Sequence, residues 1–214
     1  MSRQAASNYE KLCAEWANRI SGMDIQRLMM KLPELKKEGS FLTLRHFGRK
    51  FGVSLEDFSI CAMEDDGPVS QNARLNIYTL LWYCRDNAVQ SGDFRPFETL
   101  RSAGPFGPAF KKGVLRPFAE AFSGRTEALK AAFEKLGGRM LPISEAGYQL
   151  NAFECMPVQF YFWDGDEEFP AQANILFDYN CTDFIHVESI VTIATEGIHR
   201  IVEEAGVSLD RNAF

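Results

Sequence analysis

The sequence predicts a single α+β domain over residues 1–214, in which helices pack on an antiparallel sheet. β-Branched and aromatic residues are concentrated in two blocks, 41–63 and 148–178. These blocks do not alternate regularly with helices, which favours an antiparallel sheet over a doubly wound one. Helical periodicity fills the segments between and after them. A chain of 214 residues with 46% hydrophobic residues is large enough to bury a core without disulfides or a structural metal.

The individual elements follow from apolar spacing and from the positions of glycine and proline. The predicted helix at 70–89 is apolar around much of its circumference, which indicates a central position in the core. Residues 1–35 hold two predicted helices and are a candidate for a small helical segment of their own. The predicted helices are 7–20, 24–31, 70–89, 108–122, 126–136 and 184–205, and the predicted strands are two or three within 41–63, then 148–153, 158–163 and 173–177.

The formal net charge of −6 is unevenly distributed along the chain. Residues 1–139 hold 21 Lys and Arg against 16 Asp and Glu, whereas residues 140–199 hold 10 acidic residues and no Lys or Arg. An acidic chain disfavours nucleic acid and anionic membranes as partners. The base-free stretch could face a cation, a basic partner or the basic N-terminal part of the same fold. The last alternative is favoured, because most surface charge serves solubility.

The cysteines and the N-terminus predict a cytoplasmic protein. The five cysteines are widely spaced and form no Cys-x-x-Cys pair, which disfavours a zinc or iron–sulfur site. Residues 1–6 begin no apolar signal sequence, and the longest apolar runs are far too short to cross a membrane. We therefore expect free thiols in a reducing compartment.

The connection between the last two predicted strands, 164–170, is strongly acidic. Asp164, Asp166 and Glu168 lie within it and Asp178 lies across the predicted hairpin, and clustered carboxylates of this kind bind hard cations. The metal-site prediction takes Asp164, Asp166 and Asp178 as ligands. Two alternatives stay open. One is a solvated turn in which an acid caps backbone N–H groups while the following Phe-Pro covers the core, and the other is a carboxylate acid–base pair.

A second candidate lies where the C-terminal helix is predicted to begin. Glu188 or Asp183 could orient the imidazole of His186 as a general base, or His186 could be the axial ligand of a tetrapyrrole. A hydrogen-bonded helix-end histidine and a dyad with Cys181 are the alternatives. The glycine- and proline-rich loop that contains Phe106 is the predicted third wall of the site. The ligand-binding candidates are therefore Asp164, Asp166, Glu168, Asp178, His186, Glu188 and Phe106.

Residues 162–171, Phe-Trp-Asp-Gly-Asp-Glu-Glu-Phe-Pro-Ala, and 175–178, Ile-Leu-Phe-Asp, resemble a motif of a domain-of-unknown-function family of bacteria and archaea. Segments 80–83, 92–94 and 116–118 also match the layout of that family, so that the resemblance spans roughly 9–203. The members come mostly from anaerobes and have no assigned activity. Some lie next to an iron–sulfur module of the kind found in corrinoid proteins of one-carbon metabolism, whereas this chain lacks a cysteine quartet. The resemblance implies a role in anaerobic metabolism.

Two functions are compatible with these observations. The favoured one is a cytoplasmic accessory protein that binds a small ligand or cofactor, such as a tetrapyrrole or flavin, in anaerobic metabolism. Its site would lie between the acidic hairpin, His186 and the loop at 104–110. The alternative is a metal-assisted enzyme with Asp164, Asp166 and Asp178 as ligands and His186 as base. Neither the ligand nor the oligomeric state follows from the sequence.

Overall fold

The first block of β-branched and aromatic residues forms a four-stranded antiparallel sheet with the strand order β1-β2-β3-β4. The structure, a computed structural model, describes residues 3–208 of the chain. Strand β1 lies outside the predicted strands, because its three residues are polar and exposed and leave no hydrophobic pattern in the sequence. The strands of this sheet are β1 (Lys36–Glu38), β2 (Phe41–His46), β3 (Arg49–Ser54) and β4 (Ile60–Ala62).

The second block contributes most of a five-stranded antiparallel sheet with the order β5-β9-β8-β7-β6. The α+β class is confirmed, but the prediction of one shared sheet is wrong. The β2–β3 turn meets β7 through a hydrogen bond from the N–H of Phe47 to the carbonyl of Ala152 (3.0 Å), and this contact does not extend a ladder. The strands are β5 (Phe94–Pro96), β6 (Arg139–Met140), β7 (Ala146–Phe153), β8 (Met156–Trp163) and β9 (Gln172–Asp178).

The helical segments differ from the prediction mainly at 108–122, where a π-helical stretch interrupts the α-helix. Pro117 cannot donate to the carbonyl four residues earlier and its ring would clash with it, which accounts for the wider turn just before it. None of the helices within residues 3–208 is long and apolar enough to cross a membrane. The α-helices are α1 (Arg3–Ser21), α2 (Ile25–Lys31), α3 (Gln71–Tyr83), α4 (Gly107–Phe110), α5 (Arg116–Phe122), α6 (Thr126–Lys135), α7 (Cys181–Phe184) and α8 (Val187–Ala205), the π-helix is Lys111–Leu115, and 3₁₀ turns lie at Phe97–Thr99 and Gly104–Phe106.

The end of α3 and the start of α8 both differ from the prediction. Helix α3 ends at Tyr83 instead of 89, because the chain leaves the helix at Cys84 and the N–H of Arg85 donates to the carbonyl of Asp183 (3.0 Å). The predicted turn before the last helix contains the short helix α7, and α8 begins at Val187. Contacts between distant segments therefore set both boundaries.

Helix α8 is the central helix of the core, where it packs against α3 and α6. It continues through Gly197, a position that helical propensity alone would count against. A Cβ atom at Gly197 would lie 2.8 Å from Cζ of Phe47 and 2.9 Å from Cζ of Phe160. The glycine therefore lets one aromatic ring from each sheet reach the helix backbone.

A buried polar network joins both sheets to α3 and α8. His46 is buried, and its Nδ1 lies 2.6 Å from the carbonyl oxygen of Ala152 while its Nε2 lies 3.2 Å from Nδ2 of Asn76. The hydroxyl of Thr192 donates to Oδ1 of Asn76 (2.6 Å). Burial lowers the pKa of His46 to about 4, so that Nδ1–H donates and the neutral ring accepts at Nε2.

Candidate functional site

Asp164, the first residue of the acidic hairpin, anchors the hairpin to the segment before α6. Its Oδ1 accepts hydrogen bonds from the N–H groups of Gly124 and Gly165 (2.8 Å each), and its Oδ2 accepts one from the hydroxyl of Thr126 (2.9 Å). These donors, the N–H of Gly124 above all, lower the pKa of the Asp164 carboxyl. Both oxygens of the Asp164 carboxylate therefore already accept hydrogen bonds from groups of the protein itself.

Asp166 and Glu168 face solvent at the tip of the hairpin. Oδ1 of Asp166 accepts from the N–H groups of Phe169 and Glu168 (2.8 Å each), and these bonds lower its pKa. Phe169 is 61% exposed, so the idea that the Phe-Pro pair covers the core is wrong. The proline ring beside it is exposed as well, because the hairpin tip projects beyond the sheet.

Asp178 lies at the end of β9 and is buried. It accepts four hydrogen bonds, from the N–H (2.9 Å) and hydroxyl (3.0 Å) of Ser91, the N–H of Gly92 (2.7 Å) and the N–H of Asn180 (2.9 Å). Within residues 3–208, no group of three or more His, Cys, Asp or Glu side chains is placed to hold a metal ion. The structure thus does not bring Asp164, Asp166 and Asp178 together as ligands, because each carboxylate binds different backbone donors.

His186 lies apart from the hairpin, at the N-terminus of α8. Its Nδ1 accepts a long hydrogen bond from the N–H of Glu188 (3.4 Å), and its ring lies 5.2 Å from that of Tyr83. The exposed carboxylate of Glu188 is 3.9 Å from Nδ1. These contacts are those of a helix-capping histidine. Burial raises the pKa of the Cys181 thiol to about 12, so that this thiol is not an activated nucleophile beside His186.

A cleft of about 730 Å³ lies between the start of α3, the segment 106–114 and one face of α8. Its body is apolar, with Phe106 43% exposed at one side and Phe110 buried beneath. Small-molecule sites in proteins occupy roughly 300–1,000 Å³ and are mostly apolar with a few polar groups, so that the size and character of this cleft match a ligand site. The lining residues are Ser70, Gln71, Asn72, Phe106, Ala109, Phe110, Gly113, Val114, Val191, Thr195 and His199.

The polar end of the cleft lies at Ser70 and His199. The Ser70 hydroxyl caps α3 by accepting from the N–H of Ala73 (3.0 Å) and donates to Oε2 of Glu196 (2.7 Å). Burial raises the pKa of the Glu196 carboxyl, and burial lowers the pKa of His199. A second pocket of about 330 Å³ adjoins the cleft here and shares Ser70 and His199 with it.

The π-helical stretch forms one wall of the cleft. Stretches of this kind are rare and occur frequently at functional sites. Gly113 lies within it and lines the cleft, and a Cβ atom at this position would meet no atom within 4 Å. The cleft therefore has free space for a side chain at position 113.

Phe106 is the one predicted site residue that lines the cleft. Val191, Thr195 and His199 recur at intervals of four on α8, a spacing that places them on one helix face and was visible in the sequence. Ser70 and Glu196 are 126 positions apart, and no local pattern pairs them. Residues of the loop at 104–110 thus line the cleft, whereas the acidic hairpin and His186 lie outside its lining.

One family model, described as a domain of unknown function (DUF3786), matches residues 25–200 of the chain, well over half of its length. No curated protein matches the chain, and no solved structure matches it.

Proposed function

Since the chain belongs to the DUF3786 family, whose description states no activity, we propose a function from its own geometry. The protein binds a small molecule with an apolar body and a polar end in the cleft beside α8. The single observation that carries this proposal is the cleft of about 730 Å³ with an apolar body and one polar end. The resemblance to proteins of anaerobes supports an accessory role in anaerobic metabolism, in which the protein holds a ligand or cofactor for another protein.

The apolar body of the ligand would contact Phe106, Val114 and Val191. Transfer of apolar surface out of water is favourable, and an exposed aromatic ring at the mouth of a cleft offers a flat surface for stacking. The polar end would meet His199, whose lowered pKa favours the neutral ring, which can donate or accept. Asn72 adds a side-chain amide, which makes no hydrogen bond within the described part of the chain.

The test blocks the cleft at Gly113 and measures binding of Nile red, a neutral apolar dye whose fluorescence increases in apolar sites. Gly113→Leu places a side chain in the open cleft without a clash at Cβ. Gly113→Ala is the matched control, because it adds only the Cβ atom. Gly22→Leu is a second control at an exposed glycine remote from the cleft lining, where a Cβ atom meets only the carbonyl oxygen of Arg19 at 3.9 Å.

We expect Gly113→Leu to weaken Nile red binding by about tenfold or more, which corresponds to about 1.4 kcal/mol. Both controls should bind as the wild type does. Thermal unfolding of all four proteins shows whether each variant is folded. Equal binding by Gly113→Leu and Gly113→Ala would overturn the proposal.

A further inference from the structure

A separate pocket of about 300 Å³ lies at the N-terminus of α8, and it shares no lining residue with the cleft. Two arginines from the basic N-terminal part of the chain line it. Nη1 of Arg85 (2.8 Å) and Nη1 of Arg101 (3.0 Å) both donate to the same oxygen, Oδ1 of Asp183. One carboxylate therefore holds two guanidinium groups side by side.

The arginine pair retains a positive charge and free donors. The side chains of Arg85 and Arg101 are 64% and 45% exposed, whereas that of Asp183 is 17% exposed. Two positive charges against one carboxylate leave one in excess. Each guanidinium has five N–H donors, of which Asp183 uses one on each arginine and Asn180 accepts a further long one from Arg101 (3.3 Å). The remaining donors are fixed in direction without the aid of a ligand, which lowers the entropy lost on binding.

Two further side chains add donors of the right kind to the same pocket. Nδ1 of His186 accepts from the N–H of Glu188, so that the proton of the neutral ring is on Nε2 and available to a ligand. Thr182 also lines the pocket, and its buried Oγ1 has no hydrogen-bond partner within residues 3–208, so that a rotation about χ1 could bring this hydroxyl to a ligand. The carboxylate of Glu188 is 3.9 Å from Nδ1 of His186, but it is 72% exposed and screened by water.

We propose that this pocket binds the phosphate group of a small phosphorylated molecule. Paired arginines give bidentate hydrogen bonds to the oxygens of an anion, and hydroxyl and imidazole donors complete the contacts to a tetrahedral group. Carboxylates share the oxyanion chemistry, but a carboxylate offers two oxygens in one plane, whereas a phosphate group offers at least three oxygens to the donors of Arg85, Arg101 and His186. This inference does not depend on the function proposed for the cleft.

The test uses inorganic phosphate as the probe. Its ³¹P chemical shift is followed while the full-length protein is added at constant ionic strength. The wild type should show saturable binding, and Arg101→Gln should weaken it by about tenfold or more, the loss expected when a charge-assisted contact is removed. Arg95→Gln is the matched control. Arg95 is also exposed, is paired with Asp93 and lies over the ring of Tyr179 as Arg101 does, but it does not line the pocket.

The substitutions are at exposed ion pairs, which contribute about 0–1 kcal/mol to stability, so both variants should fold. Nile red binding by Arg101→Gln should equal that of the wild type, which separates this pocket from the cleft. Absence of saturable phosphate binding by the wild type, or equal binding by Arg101→Gln and Arg95→Gln, would overturn the proposal. Displacement of phosphate by an equal concentration of acetate would overturn the assignment to phosphate.

Discussion

The acidic hairpin holds four carboxyl groups within the five residues 164–168, whereas the cleft is lined by a few polar side chains, among them Ser70, Asn72 and His199, and by no carboxylate of the residues that the structure describes. The hairpin is the more conspicuous in sequence, yet Asp164 and Asp166 are bound to backbone N–H groups. The cleft combines a large apolar surface with a few polar groups at one end. A cluster of charged residues is therefore not by itself a ligand site, because the fold can use its carboxylates to bind backbone N–H groups, whereas an apolar cleft of this size has room for a small molecule.

Asp178→Ala tests the structural role of the carboxylates with the largest expected effect. Removal of this buried group leaves the N–H groups of Ser91, Gly92 and Asn180 without their acceptor, and we expect a loss of about 3 kcal/mol in the free energy of unfolding. Urea unfolding measures the loss, and Nile red affinity of the folded protein should not change. A loss below about 1 kcal/mol would show that the hydrogen bonds to Asp178 contribute little to the stability of the fold.

Alanine substitutions at Gly197 and Gly113 compare a position in the filled core with one beside the open cleft. Gly197→Ala forces a Cβ atom against two buried phenylalanine rings, and we expect it to destabilise the protein by about 2 kcal/mol. Gly113→Ala meets no neighbouring atom and should stabilise it by about 0.5–1 kcal/mol, since alanine favours helices over glycine. The two unfolding free energies should therefore change in opposite directions. A shift in the same direction would contradict the assignment of the two faces.

The pH dependence of stability should show two separate steps. The folded-state pKa of His46, about 4, lies below its unfolded value near 6.5, so the unfolded chain takes up the proton first. Stability is therefore complete above about pH 6.5 and should fall by about 3 kcal/mol as the pH is lowered towards 4. His46→Gln should remove most of this step in a series of urea titrations, and a step of unchanged size would exclude His46 as its source.

The second step belongs to the hairpin. The pKa values of Asp164 and Asp166 are lowered by their hydrogen bonds, so their contribution is present above the unfolded value near 3.9 and is lost as the pH falls through the lower folded value. A step attributable to these two residues should appear only below about pH 4. This step should become smaller in Asp164→Asn, in which Asp166 still contributes, while the His46 step stays unchanged. A low-pH step of unchanged size in Asp164→Asn would contradict the contribution of Asp164.

Asp164→Ala has the smallest expected effect among the carboxylates. Its partners, Gly124 and Thr126, are close to solvent and can bond to water instead, so we expect a loss of about 1 kcal/mol, measured by urea unfolding. Addition of Mg²⁺ or Ca²⁺ should not change the unfolding midpoint of the wild type through this hairpin. A cation-dependent increase that Asp164→Ala abolishes would restore the metal-site prediction.

Much of the fold could be predicted from local patterns, and the exceptions have a common cause. The strands β7, β8 and β9 have long apolar or alternating runs, and the apolar residues of α8 recur at helical spacing, so both were predictable. The strands β5 and β6 have three and two residues and exist because a neighbouring strand offers an edge. The length of a helix such as α3 depends on a partner, Asp183, that is remote in sequence.

The site was less predictable, because its parts are joined only by the tertiary fold. Phe106, which loop composition singled out, lines the cleft, and the residues of the α8 face that includes His199 recur at a regular spacing in the sequence. The pairing of Ser70 with Glu196 and the opening at Gly113 depend on how α3, α8 and the π-helix meet. The acidic motif alone does not decide between two roles, since carboxylates that cap backbone N–H groups and carboxylates that bind metals have the same sequence signature.

The most direct test of the central claim is native mass spectrometry of the protein purified under anaerobic conditions, with an absorbance spectrum of the same sample. We predict a small-molecule adduct on the wild type and on Gly113→Ala that is absent from Gly113→Leu, because only the leucine side chain occupies the cleft. An adduct retained equally by Gly113→Leu would place the ligand elsewhere and contradict the account.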